Sequence, residues 1–311
     1  MWVPPLPSTA VLNLIDTELA RRGRVRVDEP EIIRRWSISA VFRVPTDRGG
    51  PVWFKAVPPA FAHEGRIAGW VAQTRPEHGA RVVAHGDGWL LTENLGEVLK
   101  QESVQPHGHP LEAAARIQIA SIGRTNELSA LGCPQRGPTQ LCAELDSLSR
   151  RLDLLEPHVA QSLETALPRL FQTLEPLEED GLPNVLVHGD IQEGNAHWTG
   201  RSWVIIDWTD AVVTHPFAEL ARPLMNATGE ERRLAEASFI RVWADVVPPS
   251  MVERGLRAAA VLGAAHQVAN YRHIVDRIGG ADGLQELLVE WLRRLLMAST
   301  NSAYEGVGRA M

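Results

Sequence analysis

A chain of 311 residues with 44% hydrophobic side chains has material for a sizeable core and for two lobes or domains. Its formal charge of −7 argues against a general nucleic-acid binder, since phosphate contacts need clustered lysine and arginine. No stretch stays apolar for the ~18 residues of a membrane span, and Met1-Trp2-Val3-Pro4-Pro5 lacks the basic and apolar regions of a secretion signal. Cys133 and Cys142 have no metal-ligand spacing and fit two ordinary thiols in a reducing cytoplasm, although a pair nine apart could in principle be bridged. Of the 31 basic residues only Lys55 and Lys100 are lysines, which marks those positions for attention.

In chain order, residues 10–23 predict a short amphipathic helix with Val11, Leu12, Leu14, Ile15 and Leu19 on its apolar face. Residues 24–57 turn to a strand pattern, at Val25 and Val27, at 40–44, and at 52–57 after a turn at Arg48-Gly49-Gly50. Lys55 lies inside the last and most apolar of these strands. On an exposed edge it would serve solubility; buried, it requires a partner. Glu64 is the candidate, because on a helix over 62–74 it shares a face with Ile67 and Val71. His85-Gly86-Asp87 joins two apolar runs as a turn would, and 89–96 reads as a strand running into a linker. The segment 101–110 carries Pro106, His107, Gly108, His109 and Pro110 and marks a boundary; its two histidines have no further ligand nearby and read as loop. Helices are predicted at 111–131, stopped by Gly132 and Pro134, and at 139–155 and 158–174.

The most informative stretch is 185–209. Val185-Leu186-Val187 and the run 203–206 are short, branched and apolar, so they predict buried strands, with Ala196-His197-Trp198 and the turn Thr199-Gly200-Arg201 forming a small hairpin between. That hairpin brings Asn195 and Asp207 together at its outer ends. Their hard oxygens suit Mg²⁺ that shares its remaining positions with water and phosphate. Asp190, on the preceding loop, is placed to accept a proton from an attacking hydroxyl, the division of labour that phosphoryl transfer needs. His85-Gly86-Asp87 repeats the tripeptide of His188-Gly189-Asp190, but Thr92 stands where Asn195 would and no second strand-terminal Asp follows.

His188-x-Asp190-x4-Asn195 followed by Ile206-Asp207-Trp208 resembles the paired signature of the aminoglycoside phosphotransferase and choline kinase family, small-molecule relatives of the protein kinases. The resemblance implies an α+β, two-lobed protein-kinase-like fold: a β-rich nucleotide lobe over 1–95 and a mostly helical lobe over 96–311 with the catalytic loop and acceptor cleft. It implies ATP and Mg²⁺ as cofactors, Asp190 as catalytic base, His188 as a brace for its loop, and Asn195 and Asp207 as metal ligands. Lys55, held by Glu64, would contact the nucleotide phosphates, and backbone groups from Glu93 to Leu95 would meet the adenine edge. Ser37 and Ser39 stand where the family covers the phosphates, without a glycine-rich loop; strand-end hydroxyls are the other reading.

Beyond Trp208, Pro216 opens a helical turn with Glu219 three residues on, where the family has an Asp that braces the catalytic loop. Helices at 230–246, 249–278 and 284–297 complete the chain, and the tail from Ser299 is expected to fray. On the second of these helices His266, Asn270 and His273 share one face, which is either solvated or part of the acceptor pocket. Glu193, in a loop where relatives commonly carry His and Pro, could attract an ammonium group on the acceptor or be a solvated loop acid, and Asp210 could supplement the metal site, meet the acceptor or be an exposed turn acid. The function expected is an ATP- and Mg²⁺-dependent kinase of a small-molecule hydroxyl, with an aminoglycoside, aminosugar or amino alcohol among the acceptors. It would have no nucleic-acid or membrane partner. The competing expectation is a nucleotide-binding module without transfer activity.

Overall fold

The computed structural model describes residues 3–96, 108–225, 227, 229–280 and 283–300. Helix α1 (Thr9–Ala20) precedes an antiparallel sheet built from β1 (Glu31–Trp36), β2 (Ser39–Val44), β3 (Val52–Ala56), β4 (Val82–Gly86) and β5 (Trp89–Glu93), in the order β1-β2-β3-β5-β4. Strand periodicity decides what each face carries. On β3, Val52, Phe54 and Ala56 point into a core with Phe42, Leu91 and the α1 residues Ile15 and Leu19, while Trp53 and Lys55 point the other way. Helix α2 (Glu64–Thr74) connects β3 to β4 and buries Glu64, Ile67 and Val71 on one face, as their spacing predicts. The β4–β5 hairpin turns at Asp87 and at Gly88, whose φ is 75°, and Asp87 is an exposed partner of Arg66. The duplicate tripeptide is a hairpin turn and nothing more.

The rest is mostly helical: α3 (Leu111–Ala120), α4 (Thr125–Ala130), α5 (Pro138–Ser149), α6 (Pro157–Leu174), α7 (Ala221–Leu224), α8 (Gly229–Ala244), α9 (Pro249–Ile278) and α10 (Leu284–Thr300). Two short ribbons interrupt it, one pairing β6 (Val185–Val187) with β9 (Val212–Thr214), the other pairing β7 (Ala196–Trp198) with β8 (Trp203–Ile205). The main core gathers around α9, which also lies against the sheet-bearing part through Val57, Phe61, Ile274 and Ile278.

Four expectations are corrected. The single helix over 111–131 is two helices, because the chain turns at Gly123, with φ at 75°, and Ser121 is pinned there: its Oγ donates to the Gln118 carbonyl at 2.6 Å and accepts from the Leu186 amide at 2.8 Å. The helix expected to reach 155 ends at Ser149, and the following turn is held by Arg151, which pairs with Asp153 and Asp276. No strand was expected at 212–214, yet β9 is the partner that makes β6 a ribbon. At the end of the chain α10 continues through Ser299 to Thr300 rather than fraying at 299. Lys100, His107 and most of the expected 101–110 boundary lie outside the described residues.

Candidate active site

The loop that carries Asp190 begins where β6 ends. Val185, Leu186 and Val187 are buried, and pairing with β9 fixes the direction in which the strand delivers His188. Burial holds His188 neutral, pushed down to about 4, so Nε2–H donates to the Ile206 carbonyl at 2.8 Å and Nδ1 accepts from the Asp190 amide at 3.2 Å. Trp208 meets the ring edge-on, with centroids 4.7 Å apart. His188 thus ties the Asp190 loop to the end of the neighbouring hairpin. Glu219 completes the brace: its carboxylate accepts from the amides of His188 (2.9 Å) and Gly189 (3.0 Å) and from Gln118 Nε2 (3.2 Å). Burial pushes Glu219 up to about 7, against those three donors. Gly189, at φ 81°, could not carry a side chain, since a Cβ would stand 2.8 Å from His266 Nε2.

Asp190 is gripped on both oxygens. Oδ2 accepts from Asn195 Nδ2 (2.9 Å) and Gln192 Nε2 (2.8 Å), and Oδ1 pairs with Arg222 Nε at 2.9 Å. Burial and the nearby Asp210 charge raise its proton affinity, while Arg222 opposes the rise. For Asp210, burial raises it, the Asn270 side chain pulls it back and Asp207 adds to the rise. Arg222 was missed by the sequence reading. It is one of many arginines, and nothing in its neighbours signals a partner 32 positions away.

Asp207 sits at φ 67°, the one non-glycine residue at positive φ among the described residues. That conformation costs roughly 1 kcal/mol or more, and it persists where surrounding contacts determine it. Asp207 Oδ1 accepts from Lys55 Nζ (2.7 Å) and Thr209 Oγ1 (2.6 Å), and Lys55 Nζ also reaches Glu64 Oε1 at 2.7 Å. Burial opposes the charge on Asp207, but Lys55 outweighs it and holds the carboxyl at about 2. Burial pushes Glu64 the other way, up to about 7, with Lys55 opposing. One ammonium therefore serves two carboxylates unequally, and its own proton affinity is raised by both.

The donor set fits Mg²⁺. Asn195 spends its Nδ2 on the Asp190 side chain and carbonyl, which leaves its Oδ1 as the free end of the amide. Asp207 keeps Oδ2 without a protein partner among the described residues. The Ile206 amide donates to the Asn195 carbonyl at 2.9 Å, so the hairpin does close these two residues together. No cluster of three His, Cys, Asp or Glu side chains suited to an all-protein metal cage occurs among the described residues. Two protein oxygens are enough for a cation that completes its shell with water and phosphate.

Lys55, Glu64 and Asp207 line one end of a cavity of about 300 Å³, whose walls include Val41, Leu90 and Ile205 and whose far rim carries Glu93 and Leu95. The Glu93 carboxylate is taken by Arg24, with both oxygens 2.8 Å from Nη1, so only its backbone is free for a ligand. Ser39 is buried and accepts from Trp36 Nε1 at 2.7 Å, and Ser37 lies in the turn beside it; neither lines the cavity. Glu193 is exposed on the loop. The face carrying His266 and Asn270 is not solvated: both are buried, His266 behind Gly189 and Asn270 beside Asp210, while the adjacent Gln267 donates to the Gly189 carbonyl.

A family profile described as the phosphotransferase enzyme family matches residues 36–262. No curated protein matches the sequence. Among solved structures, a provisionally named fructosamine-3-kinase from Thermobifida fusca is 21% identical with a TM-score of 0.59, over 94% of this chain and 100% of that one. The choline kinase from Cryptosporidium parvum Iowa II is 12% identical with a TM-score of 0.62, over 94% and 95%. The GDP and kanamycin complex of APH(2")-IIia is 12% identical with a TM-score of 0.60, over 94% and 99%. At these identities the likeness concerns the fold, which is the two-lobed, protein-kinase-like one.

Proposed function

The chain belongs to the phosphotransferase enzyme family, and we propose that it transfers the γ-phosphoryl group of ATP, with Mg²⁺, to a hydroxyl group of a small molecule. The observation that carries this reading is the ion cluster of Lys55, Glu64 and Asp207, supplied by β3, α2 and the end of the β7–β8 hairpin, joined through the Ile206–Asn195 backbone bond to the pair of Asn195 and Asp190. A binding module has no use for Asp190 held on both oxygens. We divide the chain at residue 95, with the nucleotide lobe before it and the acceptor lobe after, in a cytoplasmic protein.

In this reading the adenine lies between the apolar walls of the cavity, against the backbone of residues 93–95. Lys55, steadied by Glu64, meets the phosphates. Asn195 and Asp207 hold Mg²⁺, which supplies neutralising charge to those phosphates when bound. The acceptor hydroxyl approaches Asp190 Oδ1, where Arg222 now lies. The acceptor oxygen bonds to the γ-phosphorus, the bond to the β-phosphate oxygen breaks, and the hydroxyl proton passes to Asp190. Asp190, Asp210 and Glu193 make the acceptor side acidic, which favours acceptors that carry an ammonium group: aminoglycosides, aminosugars and amino alcohols. The test is ADP release from Mg-ATP by purified protein against a panel of these compounds and matched neutral alcohols. Release stimulated by an amine-bearing member supports the assignment. Stimulation by neutral alcohols alone would overturn the acceptor class, and silence with all of them would overturn the transfer reading.

A further inference from the structure

A second cavity, of about 570 Å³, shares no lining residue with the first and lies between α2, α5, α9 and the 132–136 segment. Its lining is cationic. Arg66, Arg136, Arg272 and Arg277 all face it, against the two carboxylates Glu144 and Asp276. Arg136 is buried, with Nε 3.2 Å from Glu144. Asp276 is shared: it lies 3.5 Å from Arg272 Nε and also pairs with Arg151, outside the lining. Arg272 Nε is buried without a hydrogen bond, and Arg277 has no carboxylate partner among the described residues. Arg66 spends Nε on the Leu131 carbonyl and one terminal nitrogen on the exposed Asp87.

We propose that this cavity is a binding site for a small phosphate-bearing molecule. Guanidinium groups from α2, α9 and the 132–136 segment meet there, and those of Arg272 and Arg277, the least engaged of the four, present N–H donors that match the oxygens of a phosphate. A phosphate dianion at neutral pH carries about −1.5 to −2 charges, which suits an excess of arginine over carboxylate better than a single carboxylate ligand does. The volume exceeds that of phosphate alone and lies within the range of small-molecule pockets, and Gln140 offers an amide for a hydroxylated body. The site also touches the active-site framework. His63 and Arg66 line it, His63 immediately precedes Glu64, and its Nε2 lies 3.1 Å from the carbonyl of Thr209, whose hydroxyl holds Asp207.

Isothermal titration of the full chain with inorganic phosphate, against sodium chloride at matched ionic strength, tests the site without reference to transfer activity. Saturable binding is expected for the wild type, weakened at least tenfold in the double variant Arg272→Gln/Arg277→Gln. Gln140 is exposed, so Gln140→Glu should be tolerated by the fold while placing a negative charge in the lining, and it too should weaken phosphate. An unchanged affinity in both variants, or no saturable binding to the wild type up to 10 mM phosphate, would overturn the proposal.

Discussion

At the scale of single residues, the cleft depends on one ammonium. Lys55 separates Glu64, almost fully buried, from Asp207 and is within 2.7 Å of both. Removing one member of such a group leaves uncompensated charge, at a cost of ~3 kcal/mol or more. Lys55→Met should therefore lower the unfolding free energy by about that amount in urea titrations followed by tryptophan fluorescence. Lys55→Met/Glu64→Leu should recover much of the loss without recovering affinity for Mg-nucleotide. A double variant no more stable than the single one would contradict the charge argument. His266 makes a different test. Burial, with Arg136 adding to it, pushes its proton affinity down to about 3, and neither ring nitrogen has a hydrogen-bond partner. Its folded value is depressed, so the unfolded chain binds the extra proton, and the stability present above about pH 6.5 is lost as pH falls toward the folded value. Relative to His266→Leu, the wild type should lose about 1.4 kcal/mol per pH unit below pH 6. A stability difference independent of pH between 7.5 and 5 would show that His266 is accessible to protons in the folded state.

At the scale of elements, the loop that carries Asp190 is held from behind rather than by its own sequence. Glu219 caps the His188 and Gly189 amides, Gln118 of α3 supports Glu219, and Gln267 of α9 holds the Gly189 carbonyl. Glu219→Ala leaves two buried backbone donors unmade, at ~1–3 kcal/mol each. Stability should fall by about 2 kcal/mol or more, and turnover should fall more than nucleotide affinity does, because Lys55 and Asp207 do not touch Glu219. An equal loss of both would mean that the brace serves the whole cleft. This support was only partly legible in the sequence. Asp190, Asn195 and Asp207 are readable because one hairpin fixes their relation over 18 positions, and Lys55 because a cation stands in an apolar strand. Gln118, Arg222 and Gln267 reach the loop across 30 to about 100 positions, through helix packing that no local pattern encodes. The break at Gly123 was hidden for a related reason: apolar residues continue in phase on both sides of it, at Ile117 and Leu128, so periodicity alone reads straight through.

At the scale of the whole molecule, the two lobes share a core. Ile67, Trp70 and Val71 of α2 belong to one apolar cluster with Ala114 and Ile117 of α3 and with Trp203, Ile205 and Trp208 beside the catalytic loop. A backbone bond joins the Ile205 amide to the His78 carbonyl at 2.9 Å, and His78 Nδ1 lies 2.9 Å from the Trp203 carbonyl. The lobes are thus fastened behind the cleft, and the chain should unfold in a single transition, with fluorescence and far-ultraviolet circular dichroism coinciding in urea. Two separated transitions would mean that the shared cluster is not a core. This arrangement was legible only as two predicted lobes; the residues that fasten them are ordinary apolar ones whose partners emerge from packing. The central claim is that the same fastened cleft performs transfer with Asp190 as base. Comparing the wild type with Asp190→Asn in acceptor-dependent ADP release, alongside Mg-ATP binding by calorimetry, tests it most directly. Binding should be retained within a few-fold while turnover drops at least ~100-fold, the scale of a lost general base; near-normal turnover in the variant would contradict the assignment.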